Sequence, residues 1–188
     1  YRLNFRYGYM EDPDVPKTLA LMKEADFETA ERAASEIELF NTNRREADKR
    51  ITQEALLQIE KLNETEQATT VVYQDDWHKG VIGIVASRCI ENYYRPTIIL
   101  TESKGMAAGS ARSVKGFSVY NAIEECADLL EQFGGHKYAA GLTLDPKNYT
   151  AFKNKFEEVV EASIERELLI PEITIDAELE LSDITPKF

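Results

Sequence analysis

The residues best suited to chemistry in this 188-residue chain are Gly134-Gly135-His136-Lys137. One of only two histidines directly follows a glycine pair and directly precedes a lysine. Bare backbone admits a ligand closely and leaves N–H groups free, so a glycine loop presenting an imidazole and an ammonium suits a phosphate-bearing ligand. The pair also reads as a plain helix stop, because it follows a helix-like run from Val119 to Glu131. A second cation, Arg112, lies in Met106 to Ser113, a strand-like run after the turn Lys104-Gly105. Alternation puts Ala107, Gly109 and Ala111 on one face of that strand and Ser110 and Arg112 on the other. A guanidinium on a rigid element can meet a phosphate in fixed geometry, or form a structural salt bridge to one of the chain's many acids.

A third cluster, Trp77-His78-Lys79-Gly80, precedes the apolar run Val81 to Ile90. If that run is a helix, its first-turn N–H groups sit beside these residues and offer an anion site. Tryptophan and histidine beside a central sheet are more often a packed, hydrogen-bonded pair than a ligand site. Arg88, inside the apolar run, reads as a structural donor to backbone carbonyls.

The elements that must position these groups follow from periodicity. From Asp26, a plausible N-cap, to about Leu62, apolar or small residues recur at steps of three and four, which predicts one long helix, with Asn41-Thr42-Asn43 as the place where it could bend. Its stripe is too interrupted for a strict heptad, so the helix reads as a connector. Ala68 to Tyr73 and Thr97 to Leu100 read as buried strands. With the helix between them they make a right-handed βαβ unit with parallel strands. Ser118 caps the helix Val119 to Glu131. Tyr138 to Leu144 is a strand, and Asn148 to Leu168 an amphipathic helix. Ile173 to Leu181 alternates apolar and polar, as a half-buried strand does. The fold class is therefore α/β, a mixed, partly parallel central sheet flanked by helices and preceded by a long connector helix.

Composition narrows the function. The chain is 43% hydrophobic and 30% charged, with a net charge of −12, so it does not hold nucleic acid by bulk positive charge. A local basic groove remains open to it. No run approaches the length needed to cross a membrane, and no signal-peptide pattern is present, so the expected location is cytoplasmic. Cys89 and Cys126 read as buried apolar residues. No Cys/His cluster has zinc spacing.

Three motifs together carry a resemblance: Trp77 to Arg88, Gly109-Ser110-Ala111-Arg112-Ser113, and Phe133-Gly134-Gly135-His136-Lys137-Tyr138-Ala139-Ala140-Gly141. In this order and spacing the chain resembles the RecJ family, bacterial single-strand-specific DNA exonucleases of the DHH phosphoesterase superfamily. The resemblance implies four parts. Residues 1–25 are the tail of a metal-binding DHH lobe, 26–63 a connector helix, 64–168 the DHH-associated substrate-binding domain, and 169–188 the first strand of an oligonucleotide-binding domain. It implies that Arg112 and Ser113 contact phosphate, with Ser110 beside them. It further implies that His136 reaches toward the nucleotide near the scissile bond, that Gly134 and Gly135 admit the backbone, and that Lys137 joins this nucleic-acid-binding set. Trp77, His78 and Lys79 are further candidates.

No Asp-His-His tripeptide occurs here. The catalytic residues and the Mn2+ or Mg2+ are thus expected in the preceding lobe, none in this chain, which is expected to be inactive alone. The implied activity is metal-dependent 5′-to-3′ exonuclease action on single-stranded DNA in repair and recombination. The implied partners are single-stranded DNA and the flanking lobes, with no membrane. Alternatives are a small-nucleotide phosphodiesterase of the same superfamily, acting on cyclic dinucleotides or short RNA, and a non-catalytic nucleic-acid-binding appendage like the related domain that ends alanyl-tRNA synthetases.

Overall fold

A computed structural model describes residues 26–62, 66–173 and 175–179. The expected tail, residues 1–25, lies outside the described residues.

The first helix, α1 (Phe27–Lys61), opens where its capping chemistry requires: the Asp26 carboxylate accepts from the Thr29 N–H at 3.0 Å. It runs unbroken through Asn41-Thr42-Asn43 for 35 residues, about 50 Å of rise. Only Asp48, Ile51, Ala55 and Ile59 on it are buried, so its second half docks on the rest of the molecule.

There follow β1 (Thr70–Tyr73), α2 (Ile82–Asn92), β2 (Thr97–Ser103) and β3 (Met106–Arg112). Next come α3 (Val119–Glu124), β4 (Gln132–His136), β5 (Ala139–Leu144) and α4 (Tyr149–Ser163). The five strands make one sheet in the order β1-β2-β3-β5-β4. β1 and β2 pair in parallel across the α2 crossover, and all other pairs are antiparallel.

Helices cover both faces. On one, Ile51, Ala55 and Ile59 of α1 and Val85, Ala86 and Cys89 of α2 pack on Val72 and Ile99. On the other, Val119 and Ile123 of α3 and Phe152, Phe156 and Val160 of α4 pack on Val71, Ile98, Leu100 and Leu142. The β1 edge is closed by side chains. Tyr149 Oη donates to the Val71 carbonyl at 3.1 Å, and the N–H groups of Ala68 and Thr69 donate to the Glu157 carboxylate at 2.7 and 2.9 Å.

Three expectations need correction. The helix expected from Val119 to Glu131 ends at Glu124. A 3₁₀ turn (Ala127–Leu129) follows, and the glycine pair lies inside β4 rather than in a helix stop. Pairing with β5 wins over local helix propensity, since each residue of Gln132–His136 gains a partner across the ladder. The helix expected from Asn148 to Leu168 ends at Ser163, because Ile164 turns extended and Arg166–Leu169 forms a separate 3₁₀ turn. The alternating run from Ile173 makes no strand among its described residues; Ile173 and residues 175–179 are exposed and find no sheet edge beside them.

Candidate nucleic-acid interface

Register decides whether the Arg112 guanidinium and the His136 imidazole share a surface. Arg112 on β3 pairs with Ala139 on β5, and Ala139 pairs with His136 on β4. Residues directly opposite one another in a ladder project to the same face. Arg112, Ala139 and His136 therefore form one row, about 10 Å across two strand spacings. The next row is Ser110, Gly141 and Gly134. Its two glycines leave the floor bare: a Cβ on Gly134 would meet nothing within 4 Å, and one on Gly141 would meet only the Gly109 carbonyl at 3.9 Å. The result is a shallow trough along β5 and β4, with the arginine and the histidine on its two sides.

The wall on the β3 side is the start of α2. A Cβ on Gly83 would lie 2.7 Å from Arg112 Nη2 and 3.0 Å from Ser110 Oγ, so the glycine is what lets this helix seat against both side chains. Val81 precedes α2 without a side-chain cap. Val81 N–H donates to the His78 carbonyl at 3.0 Å and Ile84 N–H to the Val81 carbonyl at 2.9 Å, which leaves the N–H groups of Ile82 and Gly83 beside a guanidinium and a hydroxyl, a combination that favours an anion. Arg112 Nη1 donates to Ser110 Oγ at 3.0 Å and to the Ala111 carbonyl at 2.7 Å, which fixes the plane of the guanidinium.

On the opposite side, His136 is exposed, and its Nδ1 lies 2.8 Å from the Ala139 carbonyl. A carbonyl only accepts, so Nδ1 carries the proton and Nε2 is the nitrogen left to face a ligand. The two-residue turn after His136 is held at both carbonyls: Val119 N–H donates to Lys137 O at 3.0 Å and Ser113 N–H to Tyr138 O at 3.1 Å. Gly135 has φ +149°, and a Cβ there would lie 2.4 Å from the Ala139 carbonyl, so that glycine shapes the hairpin itself. Lys137 and Lys79 are exposed.

The other candidates fall elsewhere. Ser113 sits just past β3, where its hydroxyl donates to the Phe117 carbonyl at 3.1 Å. Trp77 is 3% exposed, and its Nε1 donates to Glu54 at 2.8 Å, so it joins the sheet domain to α1 and offers no open ring. His78 is exposed and accepts from the Gly80 N–H at 3.1 Å through Nδ1. Arg88 donates to the Asp48 carboxylate rather than to carbonyls, with Nε and Nη2 both at 3.0 Å. Lys115 pairs with Glu172 at 2.9 Å; that carboxylate, with smaller help from Tyr94 and Tyr138, keeps the ammonium above its ordinary range.

Among the described residues no three His, Cys, Asp or Glu side chains gather as metal ligands would, so no step through a metal is derived from them. No described helix is long and apolar enough to cross a membrane. Sequence reasoning missed Gly83 and Gly141. Gly83 was visible as the one glycine inside the apolar run Val81 to Ile90, where helix propensity disfavours it.

Comparison with known proteins agrees with this fold. The DHHA1 domain family matches residues 66–162, just over half of the chain. The single-stranded-DNA-specific exonuclease RecJ of Bacillus subtilis (strain 168) is 38% identical over 186 residues, covering 98% of this chain and 23% of that protein. RecJ of Salmonella typhimurium is 33% identical over 186 residues, covering 95% and 32%. The crystal structure of Thermus thermophilus RecJ in complex with Mn2+ superposes with a TM-score of 0.72 at 30% identity, over 80% of this chain and 22% of that one. A structure of exonuclease RecJ bound to manganese gives 0.71 at 30%, over 80% and 37%. The chain thus spans about a quarter to a third of the length of these curated relatives. With the domain match over its sheet and the RecJ likeness running on through the long helix, the chain belongs to the DHHA1 domain family, in the form that RecJ proteins carry.

Proposed function

We propose that this chain is the strand-gripping lobe of a metal-dependent exonuclease that digests single-stranded DNA from the 5′ end and serves repair and recombination in the cytoplasm. The observation that carries the reading is the row Arg112–Ala139–His136 standing over the bare Gly134/Gly141 floor. A sugar-phosphate chain needs a trough without side-chain obstruction, donors aimed at its non-bridging oxygens and a rigid mount for both. The guanidinium brings a positive charge held in fixed geometry, and the imidazole, as the imidazolium, donates from Nε2 on the other side. Ser110 orients the guanidinium, while Lys137 and Lys79 add charge at the margins.

In this reading residues 1–25 end a preceding lobe, α1 connects to it, and residues 169–188 lead into an oligonucleotide-binding domain. Water activation belongs to Mn2+ or Mg2+ held by the preceding lobe. This lobe positions the strand, and neutralising phosphate charge is its contribution to turnover. Taken alone it is inactive.

The test is single-stranded DNA binding by the full-length protein carrying Arg112→Ala or His136→Ala, with thermal unfolding as the control. Affinity is expected to fall about tenfold for each variant, equally for all sequences, with the salt dependence reduced by about one phosphate contact. Unchanged affinity in both variants contradicts the reading. Comparing cleavage of long single strands with cleavage of dinucleotides separates it from a small-nucleotide phosphodiesterase.

A further inference from the structure

Tyr138 occupies the turn between β4 and β5, immediately before Ala139 of the Arg112–Ala139–His136 row. Its side chain is 45% exposed. Among the described residues of the sheet domain, every other tyrosine, phenylalanine and tryptophan from Tyr73 onward is buried or half-buried. Turns favour small or polar residues, and neither Lys137 nor Tyr138 adopts a positive φ. The mount is nonetheless rigid, since both turn carbonyls are held by N–H donors from Val119 and Ser113. A cation flanks the ring: Lys137 Nζ stands 5.4 Å from its centroid, and no carboxylate among the described residues pairs with that ammonium. An exposed ring on a fixed mount, beside Lys137 and next to the row that carries Arg112 and His136, has the make-up of a base-stacking platform.

We infer that Tyr138 stacks against a nucleobase of the strand whose phosphate lies between Arg112 and His136, with Lys137 fixing the adjacent backbone. The inference rests on the proposed strand-gripping function and adds a base contact to it. Stacking needs only a π-face, so it holds any base and leaves digestion independent of sequence.

The experiment measures binding of fluorescent single-stranded oligonucleotides to the full-length protein, using intact strands and strands carrying one abasic nucleotide at each position in turn. Tyr138→Leu is expected to weaken binding of the intact strand about 5- to 100-fold, while Tyr138→Phe and Tyr138→Trp retain it. The protein with Tyr138 intact should show a similar loss at one abasic position, and Tyr138→Leu should be indifferent to that same position. The salt dependence should stay unchanged in Tyr138→Leu and fall by about one contact in Lys137→Ala. Equal losses for Tyr138→Leu on intact and on every abasic strand, or no loss at all, overturn the inference. If Arg112→Ala and His136→Ala weaken binding while Tyr138→Leu does not, the stacking contact alone is refuted. If none of the three weakens it, the strand-gripping function falls as well.

Discussion

Adjacent glycines in the trough do opposite jobs, and substitution separates them. Gly135→Ala drives a Cβ into the Ala139 carbonyl at 2.4 Å from a backbone at φ +149°. It should cost about 2–4 kcal/mol and lower the melting temperature by roughly 5–15 °C in calorimetry. Gly134→Ala meets open space, so stability should stay within about 0.5 kcal/mol while single-stranded DNA affinity falls, because the methyl group rises from the floor. Gly83→Ala makes a third case. Its Cβ would lie 2.7 Å from Arg112 Nη2 and 3.0 Å from Ser110 Oγ, so the guanidinium must loosen its bonds to Ser110 and Ala111 to make room, which offsets the roughly 0.5–1 kcal/mol that a helical alanine gains over glycine. The expected outcome is a nearly unchanged melting temperature with weakened DNA binding. A loss of stability at Gly134 or at Gly83 that matches Gly135 would show the trough to be ordinary packing. Alternation within Met106 to Ser113 was enough to put Ser110 and Arg112 on one face, and the order Gly-Gly-His was enough to single out a stretch of bare backbone beside a histidine. That the two faces coincide could not be read from the sequence, because it depends on β3 and β4 both flanking β5, a long-range pairing with no local signature.

At the scale of elements, the Asp26 cap, the three-and-four stripe of α1 and the βαβ unit were all legible, since each rests on local chemistry or strong periodicity. The Val119 to Glu131 run misled because its apolar spacing suits a helix for two turns, after which the β5 ladder claims Gln132–His136. The docking of α1 was also invisible. It depends on Asp48, 6% exposed, meeting Arg88 from α2, and on Glu54 meeting the buried Trp77 indole. The ion pair is asymmetric, since the Arg88 side chain is 49% exposed. Arg88→Met strands a buried carboxylate and should cost about 2 kcal/mol in denaturant unfolding. Asp48→Asn leaves a guanidinium that water can reach and should cost less than about 1 kcal/mol. Equal costs, or a larger cost for Asp48→Asn, would mean that the pair does not anchor the helix.

At the scale of the whole molecule, a chain of net charge −12 is proposed to hold a polyanion, which demands that its cations be concentrated where the strand lies and that binding weaken steeply with salt. The molecule is built to keep its thiols out of this chemistry. Burial pushes Cys89 up to about 12 and Cys126 up to about 11, from an ordinary value of 9.0. Above pH 9 the unfolded chain therefore releases protons that the folded chain retains, so stability should fall as pH rises from about 9 toward 11 or 12 and show no thiol-linked change below 9. Thiol labelling at neutral pH should be slow until denaturant is added; fast labelling of the native chain would contradict the buried placement. The central claim is that Arg112 and His136 act on one phosphate across one trough, and a double-mutant cycle tests it most directly. Single-stranded DNA affinities of the full-length protein, Arg112→Ala, His136→Ala and the double variant should show a coupling of about 1 kcal/mol or more, with the double variant losing less than the sum of the single losses. Strict additivity would show that the two side chains serve separate ligands.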